Sequence, residues 1–137
     1  MRRFRFSTAA VVLFTVLALG TFCFGELLLE IEVAPATLNI QSEGAVVTVH
    51  TDIAYGAVDV YTVYLNSIAI QSWKADNQGN FVAKFSMEAV KTLDGLVIGD
   101  YNTLQLVGLT KEDGEAFSGE AEILVIDVQP EGKGKEK

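Results

Sequence analysis

The chain has 137 residues, of which half are hydrophobic and a fifth are charged, with a single cysteine and a formal net charge of −8. This length leaves room for one domain of ordinary size and excludes two independent hydrophobic cores. The single thiol, Cys23, lies near the start of the chain, so the residues after it have no disulfide among them and no cysteine-ligated metal site.

The first 25 residues have the three-part order of a secretory signal peptide. The positive residues at its start are Arg2, Arg3 and Arg5. The apolar run that follows, residues 9–22, is shorter than the roughly 20 residues that span a bilayer. We therefore predict a secreted or periplasmic protein that is cleaved after Gly25, or alternatively after Gly20. Lipidation at Cys23 and an uncleaved membrane anchor are further alternatives.

Removal of this signal peptide makes the protein more acidic. It takes away three of the ten basic residues and none of the 18 acidic ones, which leaves a net charge of about −11. Such a surface repels phosphate backbones and anionic lipids. We predict no nucleic-acid binding, and no membrane contact except through an uncleaved signal segment, whereas cations and basic partners remain compatible with the charge.

After residue 25, apolar residues recur at every second position, which is typical of β-strands. The segments that show this pattern are 27–33, 45–52, 58–70, 80–87, 101–110 and 121–128. Their number and spacing predict an all-β fold over residues 26–129, an immunoglobulin-like antiparallel β-sandwich of about seven strands. Residues 130–137 are rich in Gly and Lys, and they are predicted to form a disordered charged tail.

The alternation also predicts which side chains face the core. In the second segment the inner set is Ala45, Val47, Val49 and Thr51. His50 belongs to the other set and is predicted to point toward water.

Turn signals predict how the strands are connected. Asp113-Gly114 predicts a hairpin that joins residues 101–110 to 117–128. Residues 87–93 are long enough for one helical turn and no more. Gly119 predicts a bulge, or a close approach between strands, at the start of the last strand.

Catalytic chemistry finds little support in this sequence. His50 is the only histidine, the predicted domain has no cysteine, and the acids are scattered rather than paired. Nucleophilic and glycosidic catalysis need an activated nucleophile beside a base, or two carboxylates across a cleft. We predict no catalytic residues and no enzymatic activity.

Calcium is the one cofactor for which the sequence offers candidate ligands. Asp76, Asn77 and Asn80 lie in one turn and Asp113 lies in another. Their oxygens suit calcium, but neither turn has the order of an EF-hand loop, and such residues are common in turns without ions. The prediction is therefore no cofactor, with a calcium site at these residues as the alternative.

Carbohydrate binding is the alternative that the aromatic residues raise. Trp73, Tyr61 and Tyr64 would form a stacking platform if they were exposed on one face. The competing interpretation assigns Trp73 to the core, together with Phe81 and Phe85, because sandwiches of this size bury a large aromatic residue between their sheets.

From Pro35 onward the sequence resembles small exported immunoglobulin-like modules of bacterial and archaeal multidomain surface proteins, which often accompany dockerin-type domains. The matching residues are Pro35-Ala36-Thr37-Leu38-Asn39-Ile40, Ser42 and Gly44, Val47 and Val49, Thr62-Val63-Tyr64-Leu65-Asn66, Phe85, Gly108, Asp113-Gly114, Phe117 and Gly119, and Ile123 and Val125. The resemblance implies a non-catalytic module with no family catalytic residues.

Together these observations predict a non-catalytic exported module with a structural or protein-interaction role at the cell exterior or in the periplasm. Its partner would be a protein or a surface polymer. The alternative is a carbohydrate-binding module that uses the exposed aromatic residues.

Overall fold

The structure is a computed structural model that describes residues 26–129. The predicted signal peptide and the predicted charged tail both lie outside these residues. In chain order the strands are β1 (Leu27–Leu28), β2 (Glu32–Ala34), β3 (Thr37–Asn39), β4 (Val46–Ala54), β5 (Val58–Leu65), β6 (Ile68–Ala69), β7 (Ser72–Ala75), β8 (Asn80–Ser86), β9 (Asp100–Thr110) and β10 (Ala116–Ile126). A 3₁₀ turn, Tyr55–Ala57, precedes β5, and a helix, α1 (Met87–Lys91), follows β8.

The strands form two sheets that pack face to face. The smaller sheet has the order β2-β4-β8-β7, and the larger sheet has the order β1-β10-β9-β5-β6, with β3 also paired to β10. Neighbouring strands are antiparallel, except that β1 and β3 run parallel to β10. This arrangement corresponds to the ABED and CFG sheets of immunoglobulin-like domains. The predicted all-β sandwich is therefore confirmed.

Side chains from both sheets fill the core between them. Phe81 and Phe85 come from the smaller sheet, Phe117 comes from the larger one, and all three are fully buried. On β4 the residues Val47, Val49 and Thr51 are buried and His50 is exposed, as the alternation predicts. Ala45, also predicted to face the core, is exposed and lies just before β4.

Two predicted strands are each divided in the structure. Residues 27–33 form β1 and β2, which belong to different sheets. Residues 58–70 form β5 and β6, which are separated at Asn66, whose φ is 53°. The prediction also missed β3 and β7, because such short strands at sheet edges leave too few residues for a periodic pattern.

Asparagine side chains extend the hydrogen bonding at three strand ends. The Asn66 backbone N–H donates to the Gln105 carbonyl, and its side-chain oxygen accepts the Gln105 N–H, both at 2.8 Å. Asn39 uses its side-chain amide for both bonds: the NH2 group donates to the Val128 carbonyl and the oxygen accepts the Val128 N–H. Asn102 bonds in the same way to Val97. A side-chain amide has the donor and acceptor of a peptide group, so it replaces a strand partner where the backbone turns away.

The hairpin and the helical turn form as predicted. β9 and β10 pair along ten residue positions on either side of the Asp113-Gly114 turn, where Gly114 has a φ of 62°. In α1 the Ser86 hydroxyl caps the helix by accepting the Ala89 N–H.

No helix within residues 26–129 is long and apolar enough to span a membrane.

Gly119 marks a close approach and not a bulge. The pairing of β10 with β9 continues through Gly119 without a change of register. A Cβ at this position would lie 2.7 Å from Cγ2 of Ile31 and 3.0 Å from the carbonyl oxygen of Leu29. The absence of a side chain at Gly119 therefore lets the segment between β1 and β2 pass close to the backbone of β10.

Candidate interaction surface

The bulge in the larger sheet lies in β5. Asp59 pairs with Leu109 and Tyr64 pairs with Val107, so four residues of β5 face one residue of β9. The Thr62 hydroxyl closes this gap, because it accepts the Leu109 N–H at 2.9 Å and donates to the Asp59 carbonyl at 2.7 Å. A bulge of this kind turns side chains out of the regular alternation.

Tyr61 lies within this bulge and is 79% exposed. Its ring meets Trp73 of β7 at a centroid distance of 5.6 Å and an angle of 80°, the edge-to-face geometry that aromatic pairs favour. Trp73 is half-buried and packs against the core. The prediction that Trp73 belongs to the core is therefore only partly confirmed. Its side chain packs against the core, but it lies on β7, an edge strand of the smaller sheet, and stays half-exposed.

The outer face of the larger sheet carries a row of apolar side chains. Strand register aligns Ala69, Tyr64, Val107, Ser118 and Leu28 across five strands. The next row contains Leu109 beside Ala116. We call the apolar residues of these two rows the apolar strip: Leu28, Tyr64, Ala69, Val107, Leu109 and Ala116.

The apolar strip is accessible to a partner. Leu28 is 80% exposed, Tyr64 42% and Leu109 39%. Val107 is half-buried, and Ser118, between Val107 and Leu28, is buried. Scattered exposed apolar residues are normal on soluble proteins, whereas apolar residues grouped on one face are a feature from which a contact surface can be proposed.

The outer face of the smaller sheet has a different character. Its exposed or half-buried positions include Thr48 and His50 on β4, Lys74 on β7 and Lys84 on β8. An open groove at one end of this face is lined by Glu30, Glu32, His50, Thr51, Asp52, Asp76, Gln78 and Asn80, and Ile31 contributes an apolar side chain.

Two acids of this groove hold the backbone in place. The Asp52 carboxylate accepts the Glu30 N–H at 3.2 Å. The Asp76 carboxylate accepts the N–H groups of Asn80 and Gln78 at 2.9 and 2.8 Å. These bonds, with that from Asn80 the largest cause, hold the pKa of Asp76 below its ordinary value of 3.8, and the nearby His50 lowers the pKa further.

The hydroxyl that follows His50 in the sequence, that of Thr51, is not directed toward His50. Thr51 is buried on the opposite side of β4, where its hydroxyl donates to the Phe81 carbonyl at 2.6 Å. This hydrogen bond commits the Thr51 hydroxyl to the structure of the core.

The calcium candidates lie in two separate turns. Asp76, Asn77 and Asn80 belong to the turn between β7 and β8, and Asp113 belongs to the turn between β9 and β10. The first turn is held by the Asp76 carboxylate itself. Within residues 26–129, no three or more His, Cys, Asp or Glu side chains are grouped closely enough to hold a metal ion.

The three carbohydrate candidates do not share one flat surface. Tyr64 lies in the apolar strip on the outer face of the larger sheet, whereas Tyr61 and Trp73 meet edge to face between the two sheets. The structure brings Tyr61 and Trp73 together, but their rings are nearly perpendicular.

The strands at the sheet edges are poorly suited to pairing with another chain. β6 has two residues, and β2 has three and is followed by Pro35. β7 exposes Lys74, and the free side of β5 is interrupted by its bulge. These features are known devices against edge-to-edge association, so we favour a sheet face over a sheet edge as the contact surface.

The sequence analysis missed most of the apolar strip, although a signal for it was present. On β9 the outward set is Tyr101, Thr103, Gln105, Val107 and Leu109. Outward positions of a solvated strand are expected to be polar, so two successive apolar residues at one end of this set are the anomaly.

The fold and this surface define an immunoglobulin-like β-sandwich with an exposed apolar strip on one sheet. Comparison of the chain with protein-family models, with curated proteins and with solved structures found no match.

Proposed function

We propose that this chain is a non-catalytic, exported interaction module that binds a protein partner at the cell exterior or in the periplasm. The observation that carries the proposal is the apolar strip, which spans the larger sheet and stays accessible to solvent. The resemblance to exported immunoglobulin-like modules implies a non-catalytic module. The predicted signal peptide supplies the compartment.

Photocrosslinking of the whole protein in its source cells tests this proposal. A benzoylphenylalanine side chain placed at Tyr64 samples the apolar strip, and one placed at Thr48 samples the outer face of the smaller sheet. We expect a discrete crosslinked protein from position 64 in the exported fraction and none from position 48. The same products from both positions, or none from position 64, would contradict the proposal.

Carbohydrate binding is the second candidate, and the exposure of Tyr61 is the observation that favours it. One exposed ring in contact with Trp73 offers a single stacking face, whereas a platform needs several rings on one surface. A glycan array with the wild-type protein and with Tyr61→Ala distinguishes the candidates. Glycan binding that is lost in Tyr61→Ala would favour the carbohydrate function.

A further inference from the structure

The two sheets differ in the sign of the charges that their strands carry. The strands of the larger sheet contain the acids Asp59, Asp100, Glu120 and Glu122, and no Lys or Arg. The strands of the smaller sheet contain the acids Glu32 and Asp52, the bases Lys74 and Lys84, and also His50. The charge imbalance of the strands therefore belongs to the sheet with the apolar strip.

The acids of the larger sheet lie directly beside the apolar strip. Glu120 follows Ser118 by two residues on β10, and it is exposed on the same face. On the other side Asp59 is the register partner of Leu109. The first lysine after β9 is Lys111, which lies in the following turn beside the acids Glu112 and Asp113.

These charges restrict what can cover the apolar strip. A partner that buries it must also approach the carboxylates of Glu120 and Asp59, and a carboxylate that loses water without gaining a cation is strongly unfavourable. A second copy of this chain in a symmetric dimer would bring the same acidic face against itself, which like-charge repulsion opposes. Opposite charges favour the complex and speed its formation.

Building on the proposed protein-binding function, we propose that the outer face of the larger sheet binds a cationic protein surface, one that combines exposed apolar side chains with Lys or Arg. The apolar side chains would cover the strip, and the cations would meet Glu120 and Asp59. Acidic surfaces and uncharged apolar surfaces lack the cations that would pair with Glu120 and Asp59.

Peptide titrations followed by amide NMR shifts test the charge and apolar requirements separately. The probes are short amphipathic peptides that combine Leu with Lys, Leu with Glu, or Ser with Lys. We expect the Leu and Lys peptide to shift the amides of Tyr64, Val107 and Leu109, and the other two to leave them unchanged. Equal shifts with the Leu and Glu peptide, or no shift at these residues with the Leu and Lys peptide, would overturn the proposal.

Two charge-reversal variants provide a matched control. Glu120→Lys and Glu32→Lys change the net charge equally, but Glu120 lies beside the apolar strip and Glu32 lies on the smaller sheet. Glu120→Lys should weaken binding of the Leu and Lys peptide by about threefold to tenfold, whereas Glu32→Lys should change it by less than about twofold. Equal weakening by both variants would show attraction to the overall charge alone and would overturn the proposal.

Failure of this inference is separable from failure of the proposed function. If position 64 crosslinks to one partner whose affinity is unchanged by Glu120→Lys, the protein-binding function stands and the cationic partner is excluded. If position 64 yields no crosslink, the protein-binding function itself fails.

Discussion

On the smaller sheet the outward side chains of β4, β7 and β8 include Thr, His and Lys, whereas on the larger sheet the outward side chains of β9 and β10 combine apolar residues with glutamates. Apart from the bulge in β5, both sheets alternate on the inside, because both must fill one core. The difference on the outside is therefore not required by the sandwich. It is the basis of our proposal that the outer face of the larger sheet binds a partner.

The largest predicted effect is a difference in stability between a substitution on the buried face of β9 and one on its exposed face. Leu106 is fully buried and Leu109 is 39% exposed on the same strand. Leu106→Ala should lower the free energy of unfolding by about 2 to 5 kcal/mol, because it leaves a cavity, whereas Leu109→Ala should lower it by less than about 1 kcal/mol. Urea denaturation measures both changes. Similar losses would mean that Leu109 serves the fold, and the contrast between the faces would disappear.

The inner face of the larger sheet should tolerate no added atoms at Gly108. A Cβ there would lie 2.4 Å from Cζ of Phe117. Gly108→Ala should therefore lower the free energy of unfolding by about 1 to 3 kcal/mol. The control Gly56→Ala, where a Cβ would meet nothing within 4 Å, should change it by less than about 0.5 kcal/mol.

A double-mutant cycle with Phe117→Leu identifies the cause of this effect. In the Phe117→Leu background Gly108→Ala should be less destabilising, because the ring that it contacts is gone. An undiminished effect would show that the backbone at Gly108, and not Phe117, sets the requirement for glycine.

The bulge in β5 of the larger sheet should depend on Thr62. Thr62→Val removes the hydroxyl that bonds to the Leu109 N–H and the Asp59 carbonyl, and it should lower the free energy of unfolding by about 1 to 2 kcal/mol. Thr62→Ser keeps the hydroxyl and should retain most of the stability. Equal losses in both variants would place the stabilising role in the Thr62 methyl group.

The smallest effect should be a pH dependence of stability that arises from Asp76, in the turn between β7 and β8 of the smaller sheet. The pKa of Asp76 is lower in the folded protein than in the unfolded chain, so its contribution is present above the ordinary pKa of 3.8 and is lost as the pH falls through the folded value. The stability difference between wild type and Asp76→Asn, measured by urea denaturation, should therefore shrink below that pH.

The long strands of this fold were predictable because their alternation is uninterrupted. Val47, Val49 and Thr51 are buried as predicted, and the Asp113-Gly114 hairpin joins the predicted strands. The bulge also had a signal: Val58 and Val60 alternate in one phase, and Val63 and Leu65 alternate in the other. One regular strand cannot satisfy both phases, so the alternation must break at the two residues in between, Tyr61 and Thr62.

The candidate surface was less predictable, because it arises from the alignment of separate strands. Leu28 and Tyr64 are far apart in the sequence, and only the register through β9 and β10 places them in one row. The single-residue candidates fared differently. Trp73 and Tyr61 do meet, whereas Asp76 and Asp113 lie in separate turns, since composition does not determine which turns adjoin.

The short and interrupted edges of this sandwich also bear on how the protein behaves when it is crowded. Because β2, β5, β6 and β7 offer no long, flat run of free peptide groups, one folded copy gives another little template for growing a fibril. The acidic surface adds mutual repulsion between copies. Folded copies should therefore repel one another and should have little tendency to join through their sheet edges as the protein accumulates.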